Sequence, residues 1–182
     1  MQQPPDLRGA VVVVTGVMAS GKSTVAQLLA TRLPRAAHVR GDVFRRMIVA
    51  GRSEMAPGGP DDALDQLRLR YRLAALVADE YAAAGFTAVL QDIVLGPALT
   101  DYVAALRSRP RYLVVLAPRP DVVAAREAAR DKTGYVDWTV ATLDDSLRHD
   151  TPRLGLWLDT SEQTAEQTVD EVLSRLAEAL VP

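Results

Sequence analysis

The chain has no cysteine and no asparagine, and only two of its 21 basic residues are lysine, Lys22 and Lys132. Without cysteine there can be no disulfide scaffold and no thiolate metal site, which fits a reducing compartment; a cytoplasmic location is the expectation. Aromatic residues are scarce, at 5%. No apolar run reaches 18 residues, so no membrane span is expected. The opening Met1-Gln2-Gln3-Pro4-Pro5-Asp6 lacks the basic-then-apolar order of a signal peptide. Nor is there an excess of positive charge: the formal net charge is −2, so the totals do not indicate a nucleic-acid-binding surface. What is abundant is alanine, with 28 residues, and arginine, with 19. That bias is the mark of a GC-rich coding sequence, so most arginines need no functional explanation. Each lysine does.

The 182 residues are expected to form one domain, large enough to bury about 70% of the unfolded surface. Residues 1–9 read as a short disordered lead. Ala10–Thr15 is a continuous β-branched run, the pattern of a strand buried on both faces. Glycine-bounded Gly16–Gly21 follows, then helical spacing over Lys22–Leu33, ended by Pro34. Ala37–Arg40 reads as a second strand and Val43–Ala50 as a helix. The turn-rich stretch 51–62, with Met55 in it, is the one long loop. Ala63–Ala84 is a long helix, with Leu64, Leu67, Tyr71, Ala74, Ala75 and Ala78 along its inner face and Gly85 as its stop. Strands are expected at Thr87–Leu90, Tyr112–Ala117 and Leu154–Leu158. Helices are expected at Pro97–Ser108, Asp121–Arg130, Asp137–His149 and Glu162–Leu180. Trp138 and Trp157 read as packing residues. Strands alternating with helices imply an α/β fold: a five-stranded parallel sheet with helices on both faces. Ligands of such sheets sit at the carboxyl ends of the strands.

That edge carries the informative residues. After the first strand, Gly16-Val17-Met18-Ala19-Ser20-Gly21-Lys22-Ser23 fits the phosphate-loop pattern G-x-x-x-x-G-K-[ST] without a mismatch. Glycines let the backbone curl so that its N–H groups face phosphate oxygens, and the following helix adds the positive end of its dipole. Lys22 would bridge the β- and γ-phosphates of ATP, and the Ser23 hydroxyl would ligate Mg²⁺. The candidate ATP-phosphate set is Gly16, Val17, Met18, Ala19, Ser20, Gly21, Lys22, Ser23 and Thr24, joined by Arg126 and Arg130. Asp42 follows the second strand and Asp92 the third. A phosphoryl acceptor needs a carboxylate near its proton, and Mg²⁺ needs carboxylate support. Asp42 is therefore a candidate for catalysis or acceptor binding (or a helix N-cap), and Asp92 for metal or acceptor contact. Arg45 and Arg46 could bind an anionic acceptor or form a solvated helix face. Arg126 and Arg130, four apart on one helix face, read as a lid over residues 126–138 that covers the charge developing on the transferred phosphoryl group, with Lys132 exposed within it.

With these pieces the sequence resembles the P-loop kinases of the nucleoside-monophosphate-kinase-like group. It looks most like the small-molecule branch that includes chloramphenicol phosphotransferase and gluconate kinase. The resemblance spans nearly the whole chain: Gly16–Ser23, the Gly41-Asp42 step, Leu90-Gln91-Asp92-Ile93-Val94-Leu95-Gly96, the Arg126/Arg130 pair, and Leu156-Trp157-Leu158-Asp159-Thr160-Ser161. It implies the three-layer α/β/α P-loop kinase fold with a short lid. It also implies activation of the acceptor hydroxyl by Asp42 and adenine-side contacts near Arg126 and the Thr160-Ser161 loop. Gly41-Asp42-Val43-Phe44-Arg45 also looks like the acceptor motif of adenylate kinases, which would make Arg45 a monophosphate ligand. Those enzymes, however, carry Asp-Gly-Phe-Pro-Arg after the third strand, where this chain has Asp92-Ile93-Val94-Leu95-Gly96 and no arginine. The Asp-x-Phe-Arg pattern is similar to zeta-toxin kinases as well, which phosphorylate a nucleotide sugar.

The leading expectation is a kinase using ATP and Mg²⁺ to phosphorylate a hydroxyl on a small molecule. An antibiotic or similar secondary metabolite is the acceptor type that the resemblance favours. Asp42, Lys22 and Arg130 are the catalytic candidates; Asp42, Arg45, Asp92 and the 51–62 loop are the acceptor-side ones. A nucleoside, nucleotide or nucleotide-sugar kinase is the alternative, and a non-catalytic nucleotide switch a third. Either a monomer or a homo-oligomer fits the sequence.

Overall fold

In the computed structural model, which describes residues 6–56, 58–129 and 138–182, five parallel strands lie in the order β2-β3-β1-β4-β5. They are β1 (Val11–Gly16), β2 (Ala36–Arg40), β3 (Thr87–Gln91), β4 (Arg111–Leu116) and β5 (Leu156–Leu158). Every residue of β1 is buried, because the strand runs through the middle of the sheet with helices on both faces. Its valines alternate between two cores. Val11 and Val13 pack with α3 (Asp61–Ala83), α4 (Ala98–Ala105), α5 (Pro120–Ala128) and α6 (Val140–Asp145). Val12 and Val14 pack with α1 (Lys22–Arg32) and α7 (Ala165–Ser174). Each valine buried this way contributes about 1.5–3 kcal/mol. The three-layer α/β/α arrangement of the P-loop kinase fold is thus present. No helix among the described residues is long and apolar enough to cross a membrane.

Several expectations are corrected. The lead joins the fold from Leu7 onward: Leu7 is buried in the second core, and the Gly9 N–H donates to the Phe86 carbonyl at 3.2 Å. The helix after β2, α2 (Asp42–Arg46), stops four residues early, where the β-branched pair Ile48-Val49 disfavours helix and Gly51 turns with φ +73°. Leu64, expected on the inner face of α3, is 42% exposed; Ala63 takes the buried position. The closing helix is shorter than its periodicity suggests. It begins with a capping box between Thr164 and Gln167, becomes a 3₁₀ turn at Leu176–Ala179, and gives way to a sixth strand, β6 (Leu180–Val181), antiparallel to the start of β4. Two residues are too few to show alternation, so β6 has no sequence signature.

Candidate active site

The carboxyl ends of β1, β2 and β3 meet at a cavity of about 450 Å³. Its described walls include Met18, Ala19, Gly21, Lys22, Ser23 and Thr24 from the phosphate loop and the start of α1. Gly16 leaves β1 with φ +145°, and a Cβ there would collide with the Leu116 carbonyl oxygen and stand 2.8 Å from Ser20 Oγ. Only glycine lets the chain leave the strand this close to β4. Ala19 then takes a left-handed conformation (φ 59°), and Gly21 another (φ 96°) at the N-cap of α1. Such alternation curls successive N–H groups toward one side and makes an anion nest. The Lys22 ammonium is buried and donates to the Val17 carbonyl at 2.6 Å, across the loop it belongs to. Ser20 Oγ is buried without a hydrogen-bond partner among the described residues. Ser23 and Thr24 are exposed to the cavity.

Arg126, on α5, lines the cavity beside the phosphate loop. It donates to the Thr160 carbonyl at 2.8 Å and reaches the Ser20 carbonyl at 3.5 Å, which brings Arg126, the phosphate loop and the Thr160-Ser161 turn after β5 together. Arg130, Lys132 and residues 130–137 of the expected lid lie outside the described residues.

Asp42 faces the same cavity from the first turn of α2. Gly41 holds the N-cap position and Asp42 makes no capping bond, so capping does not account for the aspartate. Its Oδ2 accepts from Arg46 at 2.6 Å, Arg40 Nε lies 3.6 Å from Oδ1, and Oδ1 is buried without a hydrogen-bond donor among the described residues. Arg45 does not line the cavity. It pairs with Glu54, which Arg52 also approaches at 3.4 Å. Burial, and secondarily the charge of Arg52, pulls Arg45 below the ordinary arginine value. Gly51 and Ser53 of the 51–62 loop are tied to α3 by Gln66, and the Trp138 indole N–H donates to the Met55 carbonyl at 3.1 Å.

Asp92 departs from the expectation of an open metal or acceptor ligand. It is fully buried and absent from the cavity wall. Arg70, on α3, grips it with two nitrogens: Nε donates to Oδ2 at 3.0 Å and Nη2 to Oδ1. The Ile93 N–H donates to Oδ1 at 2.7 Å. A Cβ on Gly41 would run into this carboxylate, so Gly41 gives the pair its room. The side chain that reaches the cavity is therefore Arg70, 14% exposed, with Gln91 and Ile93 beside it. Burial pulls Arg70 below the usual arginine value, but an arginine remains charged at any ordinary pH. Nearby, Tyr71 donates its hydroxyl to the Ile93 carbonyl at 2.8 Å, and burial pushes that phenol up to about 12. Thr15 fixes Val94 through both of its backbone groups.

Breaking this pair should be felt in stability. Arg70→Leu leaves a buried, unpaired carboxylate and should destabilise the fold by about 3–5 kcal/mol, with Arg70→Leu/Asp92→Leu recovering much of the loss. Urea unfolding of the two variants checks this, and an unchanged midpoint for Arg70→Leu would contradict it.

Arg70 and Arg40 have no motif to announce them. One signal does exist for Arg70. It falls on the stripe of Leu67, Ala74 and Ala78 that faces the sheet, and a charge on an apolar stripe implies a buried partner. Among the described residues no cluster of three or more histidine or acidic side chains could hold a metal ion.

The profile of the AAA-domain family matches residues 11–152. No curated protein matches the sequence. Three solved structures of similar fold are a sugar kinase from Janibacter sp. HTCC2649, a gluconokinase from Sinorhizobium meliloti 1021, and the Mycobacterium tuberculosis APS kinase CysC in complex with AMPPNP and APS. The first is 21% identical, with a TM-score of 0.70, covering 93% of this chain and 95% of its own. The gluconokinase is 19% identical, with a TM-score of 0.63 over 93% and 92%. The APS kinase is 20% identical, with a TM-score of 0.65 over 93% and 98%. At these identities the likeness is one of fold.

Proposed function

Because the chain belongs to the AAA-domain family and has the P-loop kinase fold, we propose that it is an ATP-dependent phosphotransferase acting on a hydroxyl of a small molecule. One observation carries the reading: a phosphate loop with its lysine and the Asp42 carboxylate line one cavity. In the reaction, the acceptor oxygen forms a bond to the γ-phosphorus as the bond to the β,γ-bridging oxygen breaks. ADP leaves with that electron pair, and the hydroxyl proton passes to Asp42. Backbone N–H groups of the loop and Lys22 hold the non-bridging oxygens, and Arg126 holds the nucleotide side. The exposed Ser23 hydroxyl suits a Mg²⁺ ligand, with the nucleotide's own phosphates supplying further oxygens; bound there, the ion would neutralise phosphate charge. Arg130 is proposed to cover the transferring group.

A nucleotide-kinase reading that relies on Arg45 has less support, since Glu54 occupies that guanidinium. The test is ADP release from Mg·ATP against a panel of sugars, polyols, nucleosides and hydroxylated antibiotics, with mass spectrometry of the product. At least one compound should accelerate release by about 10²-fold or more over solvent and gain one phosphoryl group. Slow hydrolysis that no acceptor accelerates would favour a nucleotide-dependent switch instead.

A further inference from the structure

The cavity is more positive than the nucleotide alone requires. Its described lining has four cations, Lys22, Arg40, Arg70 and Arg126, against one carboxylate, Asp42. Lys22 and Arg126 stand at the phosphate loop and are accounted for by the triphosphate. Arg40 and Arg70 stand on the other side, with Asp42. Around them, five arginines (40, 45, 46, 52 and 70) are paired with only three carboxylates, Asp42, Glu54 and Asp92. This local excess sits in a chain whose net charge is −2.

Structural pairing does not use up these groups. Arg70 spends Nε and Nη2 on Asp92, while Nη1 makes no hydrogen bond among the described residues. Arg40 makes none either; Asp42 is a loose neighbour at 3.6 Å. Arg70, held mostly out of water with a donor unspent, offers a site for an anion, with the half-exposed Arg40 beside it, and the guanidinium fork suits a phosphate or carboxylate. Gln91, 7% exposed, lines the cavity beside them.

We infer that the acceptor is a small hydroxylated anion: its phosphate or carboxylate rests on Arg40 and Arg70, and its reacting hydroxyl on Asp42. This rests on the kinase reading and narrows it to acceptors that already carry a negative group.

The test separates the two. The protein is first saturated with Mg·AMPPNP, which fills the phosphate loop, and is then titrated calorimetrically with inorganic phosphate and with acetate at fixed ionic strength. One anion should bind per chain, and the tighter of the two identifies the acceptor's group. Arg40→Gln, at a half-exposed position that can change without unfolding the protein, should weaken that binding about tenfold, as should Arg70→Lys, which keeps a charge opposite Asp92 but loses the fork. AMPPNP affinity should stay within about twofold, since neither side chain is needed for the triphosphate. In the ADP-release assay ribose 5-phosphate should outperform ribose, or gluconate outperform glucose. If AMPPNP binds but neither anion does, or if Arg40→Gln binds them as tightly as the parent, the anion site is wrong and the kinase reading survives. If AMPPNP itself fails to bind, both fall.

Discussion

Lys22→Arg should lower phosphate transfer by about 10³-fold while the protein stays folded, the size of effect seen when one preorganised donor is lost from a transition state. The position explains why so similar a residue should fail. Lys22 is 5% exposed and its ammonium lies inside the curl of its own loop, on the Val17 carbonyl. An ammonium is a compact point charge that can turn from that carbonyl to a phosphate oxygen. A guanidinium is wider and planar, and its five donors cannot all be satisfied in a space shaped by Gly16, Ala19 and Gly21. Lysine is nearly absent elsewhere in this arginine-rich chain, so its use here is the sharper for that. Transfer rates with the best acceptor, together with thermal unfolding to show that the fold is kept, make the measurement. Activity within about tenfold of the parent would contradict the phosphate-loop assignment.

Asp42→Asn is the second large effect, a fall of about 10²–10⁴-fold in kcat if the carboxylate takes the acceptor proton. The substitution keeps the shape and leaves an oxygen that can still accept from Arg46, now held at 2.6 Å, so the local structure should persist. Asparagine can still accept a hydrogen bond from the acceptor hydroxyl but cannot carry its proton away. The size of the loss therefore assigns the role. A loss of two orders or more in kcat, with KM for ATP little changed, supports proton transfer; a loss of only about tenfold assigns Asp42 to orientation, as a loose phosphoryl-transfer transition state would allow. Full retention of kcat would remove Asp42 from the chemistry.

The legible part of this protein is what the backbone dictates. Val11–Val14 can only be a central strand, Gly16–Ser23 can only curl, and Asp42 must emerge where β2 ends. The contacts hidden from a sequence reading are those between side chains far apart in the chain. Asp92 was legible as a strand-end carboxylate, but its partner sits 22 residues earlier on α3, as one arginine among 19. That same abundance hides Arg40 at the end of β2. Arg45 has the right motif position and the wrong neighbour: Glu54 comes to it from a loop whose course periodicity cannot predict.

The hydrogen bond from Trp138 to Met55 gives the molecule a built-in optical gauge. The chain has only two tryptophans. Trp157 is stacked under the guanidinium of Arg153 and donates to the Leu154 carbonyl, away from the cavity. Trp138 alone is hydrogen-bonded to the loop that holds Met55. In a Trp157→Phe background, its emission would follow the seating of that loop in real time, with no label attached and without waiting for turnover.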